Sequence, residues 1–124
     1  MNDMNPVGWF EIYVQDMARA KAFYEGVFGV QLIELDGLDG EMWAFPMHAG
    51  RYGAAGALVR MPDRLSGAGS TLVYFSCADC AVEAAKAASA GGLVQREKFA
   101  IGQHGHIALV SDTEGNLIGL HSMQ

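Results

Sequence analysis

The segment DTEGNLIGLH, at residues 112–121, carries the clearest structural signal in the chain. Its Asp, Gly and Asn indicate a tight turn, because Gly and Asn tolerate positive φ and an Asp side chain can bond to its own turn. The residues that follow alternate as in a short strand. Ile118 and Leu120 form an apolar face that can pack on a helix, while the other face offers a gap at Gly119 beside the imidazole of His121. We expect this second face to help hold a ligand.

This strand is the last element of a pattern that occurs twice. In each copy a strand runs into a helix that has an Asp as N-cap and a Gly at its end, and three further strands follow. The first copy predicts strands at 9–14, 30–35, 42–47 and 54–61, with a turn at 36–40; the second predicts strands at 72–77, 93–99, 106–111 and 117–122 and a helix at 81–90.

One constant offset relates the landmarks of the two copies. The matched pairs are the two N-caps, the two helix stops, and one position in the first and in the last strand of each copy. They are Asp16 and Asp79, Gly29 and Gly92, Trp9 and Leu72, and Gly56 and Gly119. A spacing that is kept across cap, helix and strand indicates an internal duplication.

The duplication predicts the architecture. We expect an α+β fold of two tandem βαβββ modules, which form a cup-shaped mixed sheet with the helices on its outer face and enclose a cleft between the modules. Module 1 is placed at 1–62 and module 2 at 71–124. The Gly-, Ser- and Pro-containing stretch 63–70 is the linker between them.

The composition is that of one globular domain. Of the 124 residues 51% are hydrophobic and 18% are charged, which excludes a disordered chain. The net charge is −6 and no basic cluster is present, which argues against a nucleic-acid partner and is compatible with a cationic ligand. No apolar run reaches the length of a membrane span and no signal-like segment opens the chain, so we expect a cytoplasmic protein without a membrane partner.

The two cysteines, Cys77 and Cys80, form a single C-x-x-C motif where a strand gives way to a helix. That location would suit a redox pair, because a helix N-terminus lowers the pKa of a thiol. Cys77 also lies on the apolar face of its strand with Val73 and Phe75, which favours a small core residue instead. Two thiols without a second pair make a poor structural zinc site.

Two motifs carry a resemblance to a known family. The first is EIYV-x-D, at residues 11–16, running into AFY-x-x-VFG at residues 22–29, and the second is the segment at 112–120. In these motifs the chain resembles the vicinal oxygen chelate superfamily, which includes glyoxalase I, extradiol dioxygenases, and fosfomycin- and bleomycin-resistance proteins. The resemblance covers essentially the whole chain and is specific for the fold rather than for the chemistry.

The resemblance also implies where a metal would be bound. Catalytic members hold a divalent metal with His, Gln or Glu on the first and last strand of each module. The corresponding positions here look like Trp9, Gly56 (or a neighbour), Leu72 and Gly119. None of these side chains offers a lone pair to a metal. We therefore expect no metal cofactor, with a divalent metal kept as the alternative.

The alternation of each strand assigns residues to the free face opposite the helix. These are Trp9, Glu11 and Tyr13; Leu72, Tyr74 and Ser76; His104, His106 and Ala108; and Leu117, Gly119 and His121. Glu11 and His121 are the candidate catalytic residues. The candidate ligand-binding residues are Trp9, Tyr13, Tyr74, His106 and Gly119. Aromatic walls with a few polar groups are typical of small-molecule sites.

Each candidate also has a structural interpretation. Glu11 can serve as the partner of a tyrosine hydroxyl or a backbone amide, since a buried carboxylate needs a donor. His121 can simply be half exposed near the chain end. His104 and His106 lie two apart on a strand, as metal ligands sometimes do, but no third ligand accompanies them. Trp9 can be a core or dimer contact.

Three functions remain open at this point. The first is a metal-independent protein, expected to be a homodimer, that binds a small organic molecule in its cleft, as bleomycin-resistance proteins do. The second is a glyoxalase-type lyase/isomerase with Glu11 as general base and His121 or a tyrosine as its proton partner. The third is a subunit with an interaction role only. We rank them in this order, because the empty ligand positions disfavour a metalloenzyme.

Overall fold

The computed structural model of the protein describes residues 5–36 and 40–124. The first half contains β1 (Val7–Tyr13), α1 (Met17–Phe28), β2 (Ile33–Leu35), β3 (Glu41–Ala44) and β4 (Ala55–Arg60). The second half contains β5 (Thr71–Ser76), α2 (Cys80–Ser89), β6 (Leu93–Ala100), a 3-10 turn (Gly102–His104), β7 (His106–Ser111) and β8 (Leu117–Ser122). The predicted α+β fold of two tandem βαβββ modules is confirmed. The predicted turn at 36–40 lies partly outside the described residues.

Tertiary contacts divide the chain into two units. One is Trp9–Thr71, and the other is Leu72–Gln124 together with residues 5–8. In the first unit the strand order is β2-β3-β4-β1, with β1 parallel to β4 and the other pairs antiparallel. The second unit repeats this scheme as β6-β7-β8-β5, with β5 parallel to β8. The same pairing in both units is what a duplicated βαβββ sequence requires.

Both helices begin at the predicted N-caps. The side chain of Asp16 accepts a hydrogen bond from Arg19 N at 3.0 Å, and that of Asp79 accepts from Ala81 N at 3.0 Å. Gly29 ends α1 in the left-handed conformation with φ of 64°, which a residue without a Cβ adopts at little cost. Neither helix of the described residues is long and apolar enough to cross a membrane.

Each helix covers one face of the sheet in its own unit. Under α1 the core contains Val14, Met17, Leu32 and Leu58, with Ile12, Tyr24, Trp43 and Phe45 at its border. Under α2 it contains Cys80, Ala84, Ala108, Val110 and Leu120, with Phe75 and Ile118 at its border. The helices are short and rich in alanine, so this packing supplies most of their stability. It also leaves Glu11 and Gly119 on the faces opposite the helices, as the alternation of their strands predicts.

The turn before β8 is held by the carboxylate of Asp112. Its Oδ1 accepts hydrogen bonds from Glu114 N at 2.8 Å and Asn116 N at 2.9 Å, and its Oδ2 accepts from Asn116 Nδ2 at 3.0 Å. Gly115 takes the left-handed position of the turn with φ of 86°. The predicted Asp–Gly–Asn turn is confirmed, and it starts β8 in the register that puts Gly119 on the free face.

These donors lower the pKa of Asp112, with the Asn116 side chain as the largest cause. A carboxyl whose folded pKa is depressed stabilises the protein above its unfolded pKa of about 3.9, and this contribution is lost as the pH falls through the folded value. We therefore expect the melting temperature of the wild type to fall more steeply below about pH 5 than that of Asp112→Asn. Thermal unfolding followed by circular dichroism from pH 6 to pH 2.5 measures both slopes.

The control is Glu97→Gln, which removes an exposed carboxylate on β6. This variant should keep the wild-type slope. Equal slopes for the wild type and Asp112→Asn would contradict the role assigned to the Asp112 carboxylate.

Candidate functional site

Glu11 is a buried carboxylate in the middle of β1. Its side chain is only 7% exposed. Tyr13 donates a hydrogen bond from its hydroxyl to Glu11 Oε1 at 2.9 Å, and Trp9 donates from Nε1 to Oε2 at 3.2 Å. The three residues lie two apart along the strand and therefore share one side of it. We call this side, defined by Trp9, Glu11 and Tyr13, the Glu11 face.

The Glu11 face agrees with the predicted side of β1 for all three residues. Each oxygen of the carboxylate accepts a hydrogen bond from a neutral donor, which compensates for part of the cost of burying the charge. The predicted structural role of Glu11, as partner of a tyrosine hydroxyl, is thus present in the contact with Tyr13. A catalytic role of Glu11 stays a prediction.

Tyr13 is held as a permanent donor toward this carboxylate. Burial raises the pKa of Tyr13 above its usual range, and the negative charge of Glu11 raises it further. The phenol therefore keeps its proton at physiological pH. The guanidinium of Arg64 lies over the ring, with Cζ 4.2 Å from the ring centroid. Arg64 was not among the predicted site residues, because a cation in a Gly-rich stretch gives no sequence signal of where it folds back.

On the free face of the second unit, the ring of Tyr74 fills the predicted gap at Gly119. The two residues are register partners in the parallel pair β5–β8. A Cβ added at Gly119 would collide with Cδ1 and Cε1 of the Tyr74 ring. Because Tyr74 is only 7% exposed, the ring has little room to turn away. Gly119 is therefore required by the packing of an aromatic ring and leaves no empty notch.

His121 follows on the same side of β8 and is bound to the neighbouring turn. Its Nε2 lies 2.6 Å from the carbonyl oxygen of His104. A carbonyl can only accept, so Nε2 carries the proton. In the neutral ring Nδ1 is then the basic nitrogen, which is the atom that a proton-transfer role would use. The imidazole is half-buried, which agrees with the structural interpretation of His121 as a half-exposed residue.

His106 lies on the side of the sheet opposite to the predicted one. It alternates with Ala108 and Val110, which are fully buried under α2, so all three point toward the helix. The assignment of His106 and Ala108 to the free face is wrong, because a small residue at this place is what close packing against Ala84 requires. His106 Nδ1 is buried and has no hydrogen-bond partner among the described residues.

The constant offset between the two modules also fails at the pair Gly56 and Gly119. In the first unit Gly56 is the register partner of Phe10, and a Cβ added to Gly56 would meet the Phe10 ring on the helix side. The residue of β4 opposite Glu11 is Ala57. The predicted equivalence of Gly56 with Gly119 is therefore wrong by one residue, and the neighbour Ala57 takes that place on the free face.

The residues at the four positions that the family uses for its metal do not fit a metal. With the corrected register they are Trp9, Ala57, Leu72 and Gly119. The indole N–H is a donor only, and the other three side chains have no lone pair. The room beside Gly119 is taken by the Tyr74 ring. Within residues 5–36 and 40–124, no group of three or more His, Cys, Asp or Glu side chains is arranged to hold an ion.

The C-x-x-C motif contains two free thiols. Cys80 is fully buried as the first residue of α2, and its backbone N–H donates to Ser122 Oγ at 2.9 Å. Burial, together with the nearby Glu83 carboxylate, raises the pKa of Cys77 to about 11. At pH 8 only about one part in a thousand of such a thiol is ionised. This supports the interpretation of Cys77 as a core residue.

The structure thus brings the predicted residues together in two sets. Trp9, Glu11 and Tyr13 are in direct contact in the first unit, and Tyr74 and Gly119 are in direct contact in the second. His106 does not share the face of the second set.

Comparison with known proteins identifies relatives of this arrangement. The family model described as Glyoxalase/Bleomycin resistance protein/Dioxygenase superfamily matches residues 7–120. A search of curated proteins found no significant match.

Several solved structures have the same fold. The methylmalonyl-CoA epimerase from Mycobacterium tuberculosis is 17% identical with a TM-score of 0.71, over 96% of this chain and 88% of that chain. A methylmalonyl-CoA epimerase in complex with methylmalonyl-CoA and NH4+ is 16% identical with a TM-score of 0.72, over 97% and 95% of the two chains. The Mn(II)-bound glyoxalase from Novosphingobium aromaticivorans is 16% identical with a TM-score of 0.66, over 95% of this chain and 38% of that one. At these identities the likeness concerns the fold alone.

Proposed function

The chain belongs to the Glyoxalase/Bleomycin resistance protein/Dioxygenase superfamily, and within it we propose that the protein binds a small organic molecule without a metal. The ligand contacts the Glu11 face. The observation that carries this proposal is the buried Glu11 carboxylate, which is backed by the donors of Tyr13 and Trp9 and walled by their rings. A charge held in an aromatic setting is how small-molecule sites obtain both orientation and affinity.

The character of this face favours an organic cation or a ligand with a strong hydrogen-bond donor. A negative carboxylate attracts cations, and hydrogen bonds to a charged group are stronger than those to a neutral one. The rings of Trp9 and Tyr13 offer π-faces that attract cations. The net charge of −6 adds a long-range attraction for the same class of ligand.

Independence from metals is supported by the chemistry of the side chains. Trp9, Ala57, Leu72 and Gly119 cannot coordinate an ion, and the packing of Tyr74 against Gly119 opposes the introduction of a ligand there. Small-molecule binding is further supported by similar structures, which are complexes with methylmalonyl-CoA and with 2-nitronate-propionyl-CoA.

The second candidate is a glyoxalase-type lyase/isomerase with Glu11 as general base, with or without a divalent metal. It is favoured by one contact, the 2.9 Å hydrogen bond between Tyr13 and Glu11, since paired groups of this kind can pass a proton. It ranks second because both carboxylate oxygens already accept hydrogen bonds, from Tyr13 and from Trp9.

A thermal-shift screen tests the proposal. The probes are Ni²⁺, Zn²⁺ and Mn²⁺, and a panel of cationic aromatics, thiol conjugates and dicarbonyl adducts, each with and without chelator. We expect stabilisation by an organic probe that is unchanged by chelator, of about 2.7 kcal/mol at one hundred times Kd. The effect should vanish in Glu11→Gln and persist in Glu34→Gln, which alters an exposed glutamate on β2.

Stabilisation by a divalent metal that disappears in the double variant Glu11→Gln/His121→Ala would contradict metal independence. Turnover of a dicarbonyl adduct that is lost in Glu11→Gln would favour the second candidate.

The homodimer and the cytoplasmic location remain part of the proposal. The edge strands of a sheet leave backbone N–H and C=O groups unpaired, and a second copy of the chain can cover them. Light scattering coupled to size-exclusion chromatography decides the oligomeric state: a mass of one chain at micromolar concentration would contradict the dimer.

A further inference from the structure

Residues 61–70 place a cation over the aromatic ring that the proposed ligand would use. We propose that Arg64 stands in for an organic cation at the Glu11 face, so that residues 61–70 form a strap that must lift before such a cation can bind. This inference rests on the proposed function, whose ligand class it narrows to cations that compete with a guanidinium.

The geometry of Arg64 is that of a bound cationic ligand. Its Cζ lies 4.2 Å from the centroid of the Tyr13 ring, well inside the range of about 6 Å over which a cation is attracted to a π-face. The hydroxyl of the same ring donates to the buried carboxylate of Glu11 at 2.9 Å. A cation in this place therefore meets an aromatic face that is backed by a negative charge.

The strap is tied to the first unit at its two ends. After β4 ends at Arg60, the Nε of that residue donates to Gln15 O at 3.3 Å. At the other end Tyr13 N donates to Ser70 O at 2.9 Å. Both ties lie beside the end of β1, so the chain between them passes next to the Tyr13 ring.

Between these ends the strap makes mostly local contacts. Arg64 N donates to Met61 O and Ser70 N donates to Gly67 O, both within the strap itself. Leu65 is 75% exposed, and a Cβ at Gly67 or Gly69 would meet nothing within 4 Å. The half-buried Arg64 is one side chain through which the middle of the strap contacts the sheet, at the Tyr13 ring. The middle of the strap, residues 62–69, can thus lift while the ties at Arg60 and Ser70 stay in place.

Two other cationic side chains stack on aromatic rings in the described residues, and neither ring is hydrogen-bonded to a carboxylate as buried as Glu11. Lys21 lies over Trp43, whose indole bonds to the half-buried Glu41, and Arg96 lies over Phe99, which has no polar group. Of these three rings, only the one under Arg64 is hydrogen-bonded to a carboxylate as buried as Glu11. The contact therefore marks a site for a planar or quaternary organic cation rather than an ordinary surface stack.

The experiment removes the internal cation and supplies it from solution. Propylguanidinium, which reproduces the end of the arginine side chain, is titrated into the wild type and Arg64→Ala by calorimetry, with propylurea as its neutral isostere. We expect Arg64→Ala to bind propylguanidinium about tenfold more tightly than the wild type does. The affinity for propylurea should be the same in Arg64→Ala as in the wild type.

Arg96→Ala is the matched control, since it removes one positive charge and one stacked guanidinium elsewhere in the chain. It should bind propylguanidinium as the wild type does. Loss of binding in Arg64→Ala/Glu11→Gln would assign the cation to the Glu11 face.

Three results would overturn the inference. They are equal affinity of the wild type and Arg64→Ala for propylguanidinium, no binding by folded Arg64→Ala, and an equal gain for propylurea. If Arg64→Ala does not fold, Arg64→Met keeps the apolar stem without the charge and carries the same expectation.

Failure of the inference is distinguishable from failure of the proposed function. If the affinity for an organic ligand depends on Glu11 but not on Arg64, the proposed function stands and the role assigned to the strap is contradicted. If Arg64→Ala binds propylguanidinium but the thermal-shift screen finds no ligand, the result would support the role assigned to Arg64 and the strap, but not the proposed function.

Discussion

Replacing Glu11 with alanine is expected to lower the free energy of unfolding by about 3–5 kcal/mol. The substitution removes the acceptor of two hydrogen bonds and leaves the hydroxyl of Tyr13 and the indole N–H of Trp9 without it. An unsatisfied buried donor costs about 1–3 kcal/mol, and the lost side-chain packing adds to this. Urea denaturation followed by far-UV circular dichroism measures the change.

The matched control is Glu34→Ala, which removes an exposed glutamate from a strand of the same unit. Its effect should stay within about 0.5 kcal/mol. Glu11→Gln should fall between the two, because its amide keeps the shape but turns an NH2 group toward one of the donors. A loss below about 1 kcal/mol for Glu11→Ala would contradict the view that this carboxylate is the centre of the Glu11 face.

Gly119→Ala is expected to destabilise the protein by about 2–4 kcal/mol. The new methyl group would collide with the Tyr74 ring, which is itself buried and so cannot rotate into solvent. The backbone of β8 would have to shift against β5 to make room. Thermal and urea unfolding measure the loss.

Gly26→Ala serves as the control, because a Cβ at this helical glycine meets nothing within 4 Å. It should raise stability by about 0.5–1 kcal/mol through the better helix propensity of alanine. A double-mutant cycle with Tyr74→Ala isolates the collision: in that background Gly119→Ala should cost little. Additive effects would show that the Tyr74 ring is not the cause.

The same packing bears on how this chain relates to metal-dependent members of its superfamily. A glutamate or histidine introduced at Gly119 would need the space that the Tyr74 ring now fills. Placing a metal ligand at this position therefore requires more than one substitution, since both the donor and the room for it are missing there. This agrees with the metal-independent function proposed above.

Much of the fold could be predicted from local patterns. The caps Asp16 and Asp79, the helix stop Gly29 and the turn at Asp112 each act through neighbours within a few residues, so their spacing indicates them directly. The strict alternation of β1 was equally informative. It assigned Glu11 to the free face before any partner of that residue was known.

It was harder to predict which residues of separate strands lie side by side, because this register depends on how the strands pair. A constant offset equated Gly56 with Gly119, while the pairing puts Ala57 opposite Glu11. A shift of one residue reverses the face of every side chain on a strand, so a small error in register changed the predicted site. The face of His106 was misassigned in the same way, since only the contact of Ala108 with α2 reveals the correct one.

The primary structure alone established the duplicated βαβββ order, the superfamily, and the polar and aromatic pattern of β1. Tertiary structure was needed to fill the gap at Gly119 with the Tyr74 ring, to turn His106 toward α2, and to bring Arg64 onto Tyr13. The difference has a simple physical cause. Capping and alternation are interactions over a few residues, whereas packing and cation–π contacts join residues whose separation along the chain carries no information about their distance in space.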